Sequence, residues 1–248
     1  NGWGLFPGPD NLKIILFRDN QQHRKRKQNM VYDLAGLRIQ QEEIARRVDL
    51  RNALPPLNRL RTVAAADVSC NRFSKTGYAA VVVLSFPEGE ILETASVKQE
   101  LEFPYIPGYL SFREWPLVES CFLKLTLTPG VLICDGQGIC HPRRAGLASY
   151  IGVKTGLVTI GCAKSRLVGE YQEPGEKRGS VSDLLLDGEK VGEVLRTRDR
   201  VKPLFISPGH RVDFQHATGL ILTLAARYRQ PEPIRVVHQL VNRLRKGL

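Results

Sequence analysis

Two runs of small and branched apolar residues in this 248-residue chain each end on an aspartate. Val63–Ala66 leads to Asp67, and Val131–Cys134 leads to Asp135. A short, continuously apolar run is the pattern of a strand covered on both faces, and burying a lone carboxylate beside it is expensive. Two such acids are tolerated if the strand ends lie side by side and a divalent cation neutralises both. Segments far apart in sequence must then be neighbours in one sheet. Oxygen ligands of this kind suit Mg²⁺, which keeps several waters and binds phosphate oxygens. A chain built this way is expected to cleave phosphodiester bonds.

The elements around these runs fit that requirement. YDLAGLRIQQEEIARRV reads as a helix with Leu34, Leu37, Ile44 and Val48 on one face and Gln41 interrupting the stripe. After Pro55-Pro56 come three strand-like runs, Val63–Cys70, Tyr78–Phe86 and Ile91–Gln99, joined by the turn-forming stretches SKTG and PEGE. Links this short give an antiparallel meander. A loop, FPYIPGYLS, leads to a helix expected over 112–127, where Pro116 is tolerable only in the first turn. VLICD is too apolar to be half exposed and reads as a central parallel strand. A helix over 145–155, the strand GLVTIGC and a final helix over 214–229 complete the alternation, with a hairpin at 182–196 in the polar stretch 169–203. Three antiparallel strands followed by helix–strand alternation, with acids on the first and fourth strands, is the order of a ribonuclease H-like fold. The expectation is α/β: one domain, a mixed sheet flanked by helices, with the first and fourth strands adjacent. Residues 1–29 are Gly- and Pro-rich with a basic HRKRK run. They read as an upstream extension outside the folded domain of 30–248, either disordered or artificially introduced.

The net charge is +11, and residues 1–29, with six Lys or Arg and two acids, leave +7 on the remainder. A basic body suits a polyanionic partner through phosphate neutralisation. Five scattered cysteines without a CxxC pair argue for a reducing compartment and against both a disulfide framework and a zinc site at Cys134, Cys140 and His141. No apolar run reaches the roughly 18 residues of a membrane span. The expected setting is cytoplasmic, with no membrane, and the expected state is a monomer.

From about residue 32 to 236 the chain resembles the endonuclease V family. The resemblance is carried by ADVS, PYIPGYLSFRE, DGQGICHPRRAGLAS, IGCAKSRL, PLFISPGHR and RQPEPIR. It implies Mg²⁺-dependent cleavage, with Mn²⁺ as a substitute, of the second phosphodiester bond 3′ to a deaminated purine (inosine, hypoxanthine) in DNA, leaving 3′-hydroxyl and 5′-phosphate ends. Asp67, Glu114 and Asp135 then become both the metal ligands and catalytic acids. Metals about 3.5–4 Å apart can activate a water and stabilise the leaving oxygen. His141, six residues past Asp135, is placed to bond a phosphate or orient water. His210, in the SPGHR turn before the last helix, resembles the family's late active-site histidine. Lys164, after an apolar strand, is expected on a phosphate. His23, His216 and His238 have no such context and read as surface or structural.

Pro104, Tyr105, Ile106 and Pro107 form a loop stiffened at both ends, so an exposed ring stays ordered and can replace an extruded base in the stack. In endonuclease V the matching PYIP is the strand-separating wedge. Gly136, Gly138 and Gly161 lack side chains that would block a flat base, and the resemblance adds Leu110, Arg143 and Leu147 to the nucleic-acid-binding set. Two other readings compete. One is an inosine-specific endoribonuclease; the other is a binding module without catalysis, against which the retention of all three acids argues.

Overall fold

The computed structural model describes residues 32–70 and 73–247, so the expected extension at 1–29 lies outside the described residues. The chain order is α1 (Leu34–Arg47), β1 (Thr62–Cys70), β2 (Thr76–Ser85), β3 (Ile91–Glu100), α2 (Leu110–Phe122), β4 (Leu132–Cys134), α3 (Leu147–Thr155), β5 (Thr159–Ala163), β6 (Glu170–Tyr171), β7 (Val181–Leu186), β8 (Glu189–Leu195), β9 (Leu204–His210), α4 (Phe214–Leu224) and α5 (Glu232–Lys246). Among the described residues, nine strands form one mixed sheet in the order β3-β2-β1-β4-β5-β9-β8-β7-β6. The meander is antiparallel, while β1, β4 and β5 run parallel with Ala66 opposite Cys134 and Cys134 opposite Gly161. The first and fourth strands are neighbours, as their apolar runs require.

Both faces of the central strands are covered, because alternate side chains point to opposite faces. Ala64 and Ala66 of β1 pack with Trp115, Leu117 and Val118 of α2 and Ile151 of α3. Val63 and Ala65, one position out of step, pack with Leu220 and Ile221 of α4 and Ile234, Val237 and Val241 of α5. The result is a three-layer helix–sheet–helix domain.

Three expectations are corrected. The helix expected over 112–127 starts two residues earlier and ends at Phe122, so Pro116 lies in its interior. An interior proline costs about 3 kcal/mol, and the burial of Trp115, Leu117, Val118, Cys121 and Phe122 offsets it. Residues beyond the helix are drawn into a turn by Glu93 of β3, whose carboxylate accepts from the Thr126 and Leu127 amides at 2.8 and 2.9 Å. The final helix expected over 214–229 is α4 alone, and α5 follows it. Pro231 and Pro233 punctuate the break, and Pro233 fits the first turn of α5, where a missing N–H costs nothing. The SPGH stretch, read as a turn, is the end of β9. The register shifts where Ile160 faces Pro208, a bulge that accommodates a residue with no N–H to donate. The expected hairpin is present as β7–β8, turning on Asp187-Gly188 with φ of 55° and 80°.

Candidate active site

The sheet's two-residue period assembles the site. Val63, Ala65 and Asp67 on β1, Val131, Ile133 and Asp135 on and just past β4, and Ile160, Cys162 and Lys164 on and just past β5 occupy successive alternate positions. The apolar members of each series lie in the core against α4 and α5. At the strand ends the same face turns from apolar to charged. Lys164 Nζ donates to Asp135 Oδ2 at 2.7 Å, and the Asp135 amide donates to the Ala66 carbonyl at 3.2 Å. Helix α5 lies over this face with Ile234, Val237 and Val241 buried, and its next polar residue, His238, places Nδ1 2.8 Å from Asp67 Oδ2. Asp67, Asp135 and His238 each offer a ligand atom, all within 4.8 Å of one another.

Glu114 comes from the opposite layer, on α2, and is buried rather than forming a surface pair with Arg113. Arg113 is itself buried and donates to two backbone carbonyls, Phe103 at 2.5 Å and Ser74 at 2.9 Å. Burial first, and then the charges of Asp67 and Asp135, push the Glu114 carboxyl up to about 8. Asp67 is also raised, by burial and then by Asp135, with the hydrogen bond to His238 opposing the shift. Three acids are thus brought near one another, Asp67 and Glu114 buried and Asp135 half-buried, a distribution that a divalent cation would neutralise.

The PYIP loop stands between β3 and α2 with Tyr105 42% exposed, Pro107 and Leu110 exposed and Pro104 and Ile106 half-buried. Its anchor is the carbonyl of Gly108, where φ is +79°, a conformation that glycine adopts without strain. That carbonyl accepts from Gln41 Nε2 at 2.9 Å and Arg143 Nη2 at 2.5 Å, and the His141 ring also bonds the Gly108 backbone. Arg143 Nε donates to Gln41 Oε1, and its guanidinium lies 4.4 Å from the Tyr109 ring centre. Gln41 interrupts the apolar stripe of α1 because it is fully buried as a link between that helix, this loop and the loop after β4.

Several expected site residues make structural contacts of their own. His210 faces Thr159 at the start of β5, whereas Lys164 follows the end of that strand, so roughly 15 Å of strand separates them. Its Nδ1 accepts from the Asp49 amide at 3.1 Å. His141 is buried and its Nδ1 accepts from the Arg143 amide at 3.2 Å; burial and the neighbouring Arg143 charge lower it to about 4. Arg143 is turned inward, and Leu147 is buried at the start of α3. A Cβ on Gly138 would lie 2.0 Å from the Pro208 carbonyl oxygen, and one on Gly161 would lie 2.3 Å from the Gly138 nitrogen. Close backbone packing accounts for both glycines, while Gly136 has only ordinary contacts with Leu147.

Two participants carry no obvious sequence signal as isolated residues. His238 was readable only from α5 as a helix, whose Ile234, Val237 and Val241 spacing fixes the buried face beside it. Arg229, in the RQPEPIR motif, donates to the carbonyls of Lys164 at 3.0 Å, Pro203 at 2.8 Å and Lys202 at 2.7 Å. It holds the backbone of the lysine that pairs with Asp135.

Comparison with known proteins gives the family and the fold. The family model of endonuclease V matches residues 42–239. The endonuclease V of Roseiflexus sp. (strain RS-1) is 44% identical over 209 residues, 84% of this chain and 92% of the relative. The crystal structure of endonuclease V from Streptomyces avermitilis superposes with a TM-score of 0.82 at 42% identity, covering 86% of this chain and 93% of that one. Endonuclease V of Ciona intestinalis, solved with a DNA containing an inosine followed by a ribo-adenosine, superposes with a TM-score of 0.75 at 29% identity, covering 86% of this chain and 98% of that one. With the matched segment spanning every carboxylate and histidine of the cluster, the chain belongs to the endonuclease V family and is a nuclease, a hydrolase acting on nucleic acid.

Proposed function

We propose that this chain is a Mg²⁺-dependent endonuclease that recognises a deaminated purine, inosine, in DNA and cuts the second phosphodiester bond on its 3′ side, leaving 3′-hydroxyl and 5′-phosphate ends. The observation that carries the reading is the convergence of Asp67, Asp135 and His238 within 4.8 Å, with Glu114 buried beside them. The donor set fits a divalent cation. Two carboxylates and an imidazole are presented together, and burial first, then the neighbouring carboxylates, raises Asp67 and Glu114. Bound there, Mg²⁺ (or Mn²⁺ in its place) would stabilise negative charge developing on the phosphate oxygens.

The chain's own groups do the rest. Asp67, Asp135 and His238 would hold the cation, and Glu114, buried on α2, adds a further carboxylate whose proton affinity burial and then the charges of Asp67 and Asp135 raise. Lys164, already on Asp135, is 39% exposed at its side chain and able to turn toward a phosphate oxygen. Tyr105 fills the space that an extruded base leaves, on a loop whose backbone Gln41, Arg143 and His141 fix from below. His141 therefore supports the loop, and His210 lies too far along β5 to act on the same phosphate. That the Ciona relative was solved with inosine-containing DNA supports the choice of base, and the ribo-adenosine in its ligand makes RNA the second substrate to test. Five free cysteines suit a reducing, cytoplasmic setting, and among the described residues no helix is long and apolar enough to cross a membrane. We take the working unit to be a monomer.

Incubating inosine-containing DNA and RNA oligonucleotides with the protein and Mg²⁺, and again with EDTA, tests the proposal. Cleavage of the DNA at the second bond 3′ to inosine, abolished by EDTA, is expected. Cleavage confined to RNA would move the substrate to the endoribonuclease reading, and binding without cleavage would overturn the enzymatic assignment.

A further inference from the structure

The surface just beyond β1 carries two features that the cleavage site does not use. Phe73, between β1 and β2, is 89% exposed, the highest among the large hydrophobic side chains of the described residues. The last turn of α5 carries Arg243, Arg245 and Lys246, all exposed. Arg245 Nη1 lies 3.3 Å from Ser69 Oγ, which brings that turn against the end of β1. The same helix passes Asp67 at His238, seven residues or about two turns earlier, so roughly 10 Å of helix runs from the carboxylates to this basic end.

Phe73 is held in place relative to the wedge loop. Ser74, the next residue, closes a local turn, its hydroxyl donating to the Thr76 carbonyl and accepting from the Thr76 amide at 2.8 and 2.9 Å. The Ser74 carbonyl accepts from Arg113, whose other guanidinium nitrogen reaches the Phe103 carbonyl two residues before Tyr105. One buried arginine therefore fixes the two loops that present Phe73 and Tyr105. The helix dipole alone favours cations at the end of α5. It gives no reason for an exposed phenylalanine on the adjoining turn. Among the described residues neither Arg243 nor Lys246 has an acidic side chain in ion-pairing range. By contrast, the cleft at the far sheet edge sets only Arg166 against Glu170, Asp183 and Asp187, a poor match for a polyanion.

We propose that Phe73 and the last turn of α5 form a second nucleic-acid contact, outside the metal cluster, in which Phe73 stacks on an unpaired base and Arg243, Arg245 and Lys246 neutralise the flanking phosphates. An aromatic face beside a basic track is the combination that single-stranded nucleic acid needs, and neither element reads sequence. The contact rests on the nuclease reading for its ligand class. It adds a place for the strand on the side of the site reached by continuing along β1.

The test is titration of the full chain, in EDTA, with labelled single-stranded and duplex oligonucleotides, each with and without inosine, over a range of salt. Phe73→Ala should weaken single-strand binding roughly ten- to hundredfold, and Phe73→Trp should retain it. The triple variant Arg243→Ala, Arg245→Ala, Lys246→Ala should weaken binding to inosine-bearing and inosine-free strands alike. It should also flatten the dependence of log affinity on log salt by about two, at roughly 0.7 per lost phosphate contact. Circular dichroism confirms that each variant is folded. Wild-type-like affinity for Phe73→Ala, or an unchanged salt slope in the triple variant, overturns the proposal. Mg²⁺-dependent cleavage by the wild-type protein is scored separately, so failure of the nuclease reading is distinguishable from failure of this contact.

Discussion

A carboxylate at the end of an apolar strand is stable only with a partner, and the two strand acids here each have one of a different kind. Asp135 takes Lys164 and Asp67 takes His238, while Glu114 has only raised affinity for its proton. Asp67→Asn and Asp135→Asn should each lower cleavage by orders of magnitude while nucleic-acid binding stays measurable, since each removes a metal ligand and leaves phosphate contacts intact. Wild-type turnover by either purified variant would refute that assignment. His238→Ala should lower activity or metal affinity roughly ten- to hundredfold, whether the imidazole binds the metal directly or orients Asp67, and metal titration of the variant checks this. Glu114 makes a prediction about pH. A carboxyl held at about 8 when folded and about 4.3 when unfolded binds its proton more tightly in the native state. Stability of the metal-free protein should therefore fall as pH rises through that window, and Glu114→Gln should flatten the fall. Because ligands bind metal deprotonated, Mg²⁺ should raise the melting temperature more at the upper end of the window than at the lower. Melting curves with EDTA and with Mg²⁺ decide both points; a stability that climbs with pH in EDTA would show that the Glu114 environment is misread.

At the scale of elements, the wedge loop depends on helix α1 as much as on its own prolines. Extruding a base from a duplex costs a few kcal/mol, which stacking an inserted ring partly offsets. Tyr105→Ala should weaken recognition of inosine in duplex DNA by roughly ten- to hundredfold and less on a single strand, with little change in melting temperature. Equal losses on both substrates with a lowered melting temperature would make Tyr105 a packing residue. Gln41→Leu leaves Tyr105 in place but removes one donor to the Gly108 carbonyl and the acceptor of Arg143. It should reproduce the duplex defect in part, alongside a loss of stability, since a buried polar group left unpaired costs about 1–3 kcal/mol. A variant with full duplex discrimination would show that the loop is set by its prolines alone. The sequence pointed to the loop through its two prolines. It offered Gln41 only as a break in an apolar stripe, because a buried glutamine is distinguishable from an exposed one only by what it meets.

For the whole molecule, we expect deletion of residues 1–29 to leave the fold and the cleavage position unchanged and at most to weaken salt-sensitive binding, since that segment carries six cations and two acids. Loss of soluble, folded protein on deletion would contradict this, and a salt titration of the truncated chain measures the electrostatic share. Strands β1 to β5 and the β7–β8 hairpin were legible from the sequence because period-two and continuous apolar patterns are local, and short turns between β1, β2 and β3 leave only antiparallel pairing. Strand β9, with Pro208 and Gly209 near its end, carries turn-forming residues that hid it. The adjacency of Asp67 and Asp135 followed from strand order, and Glu114 from the motif around it. What only the tertiary structure decided are contacts made across layers. Helix α5 was obscured by Pro231 and Pro233, so His238 looked like a surface residue until the helix was laid over β1. His210 lay in a motif but on a strand, and a strand's two ends are far apart whatever motif they share. Gly138 and Gly161 read as leaving room for a flat base, and close backbone packing, invisible in the sequence, gives each a second reason to be glycine. Sequence by itself determined which segments pair and which acids end them, since those depend on side-chain polarity at successive positions. Which histidine reaches the carboxylates depended on helix packing, a distance set by the folded layers and written in no local pattern.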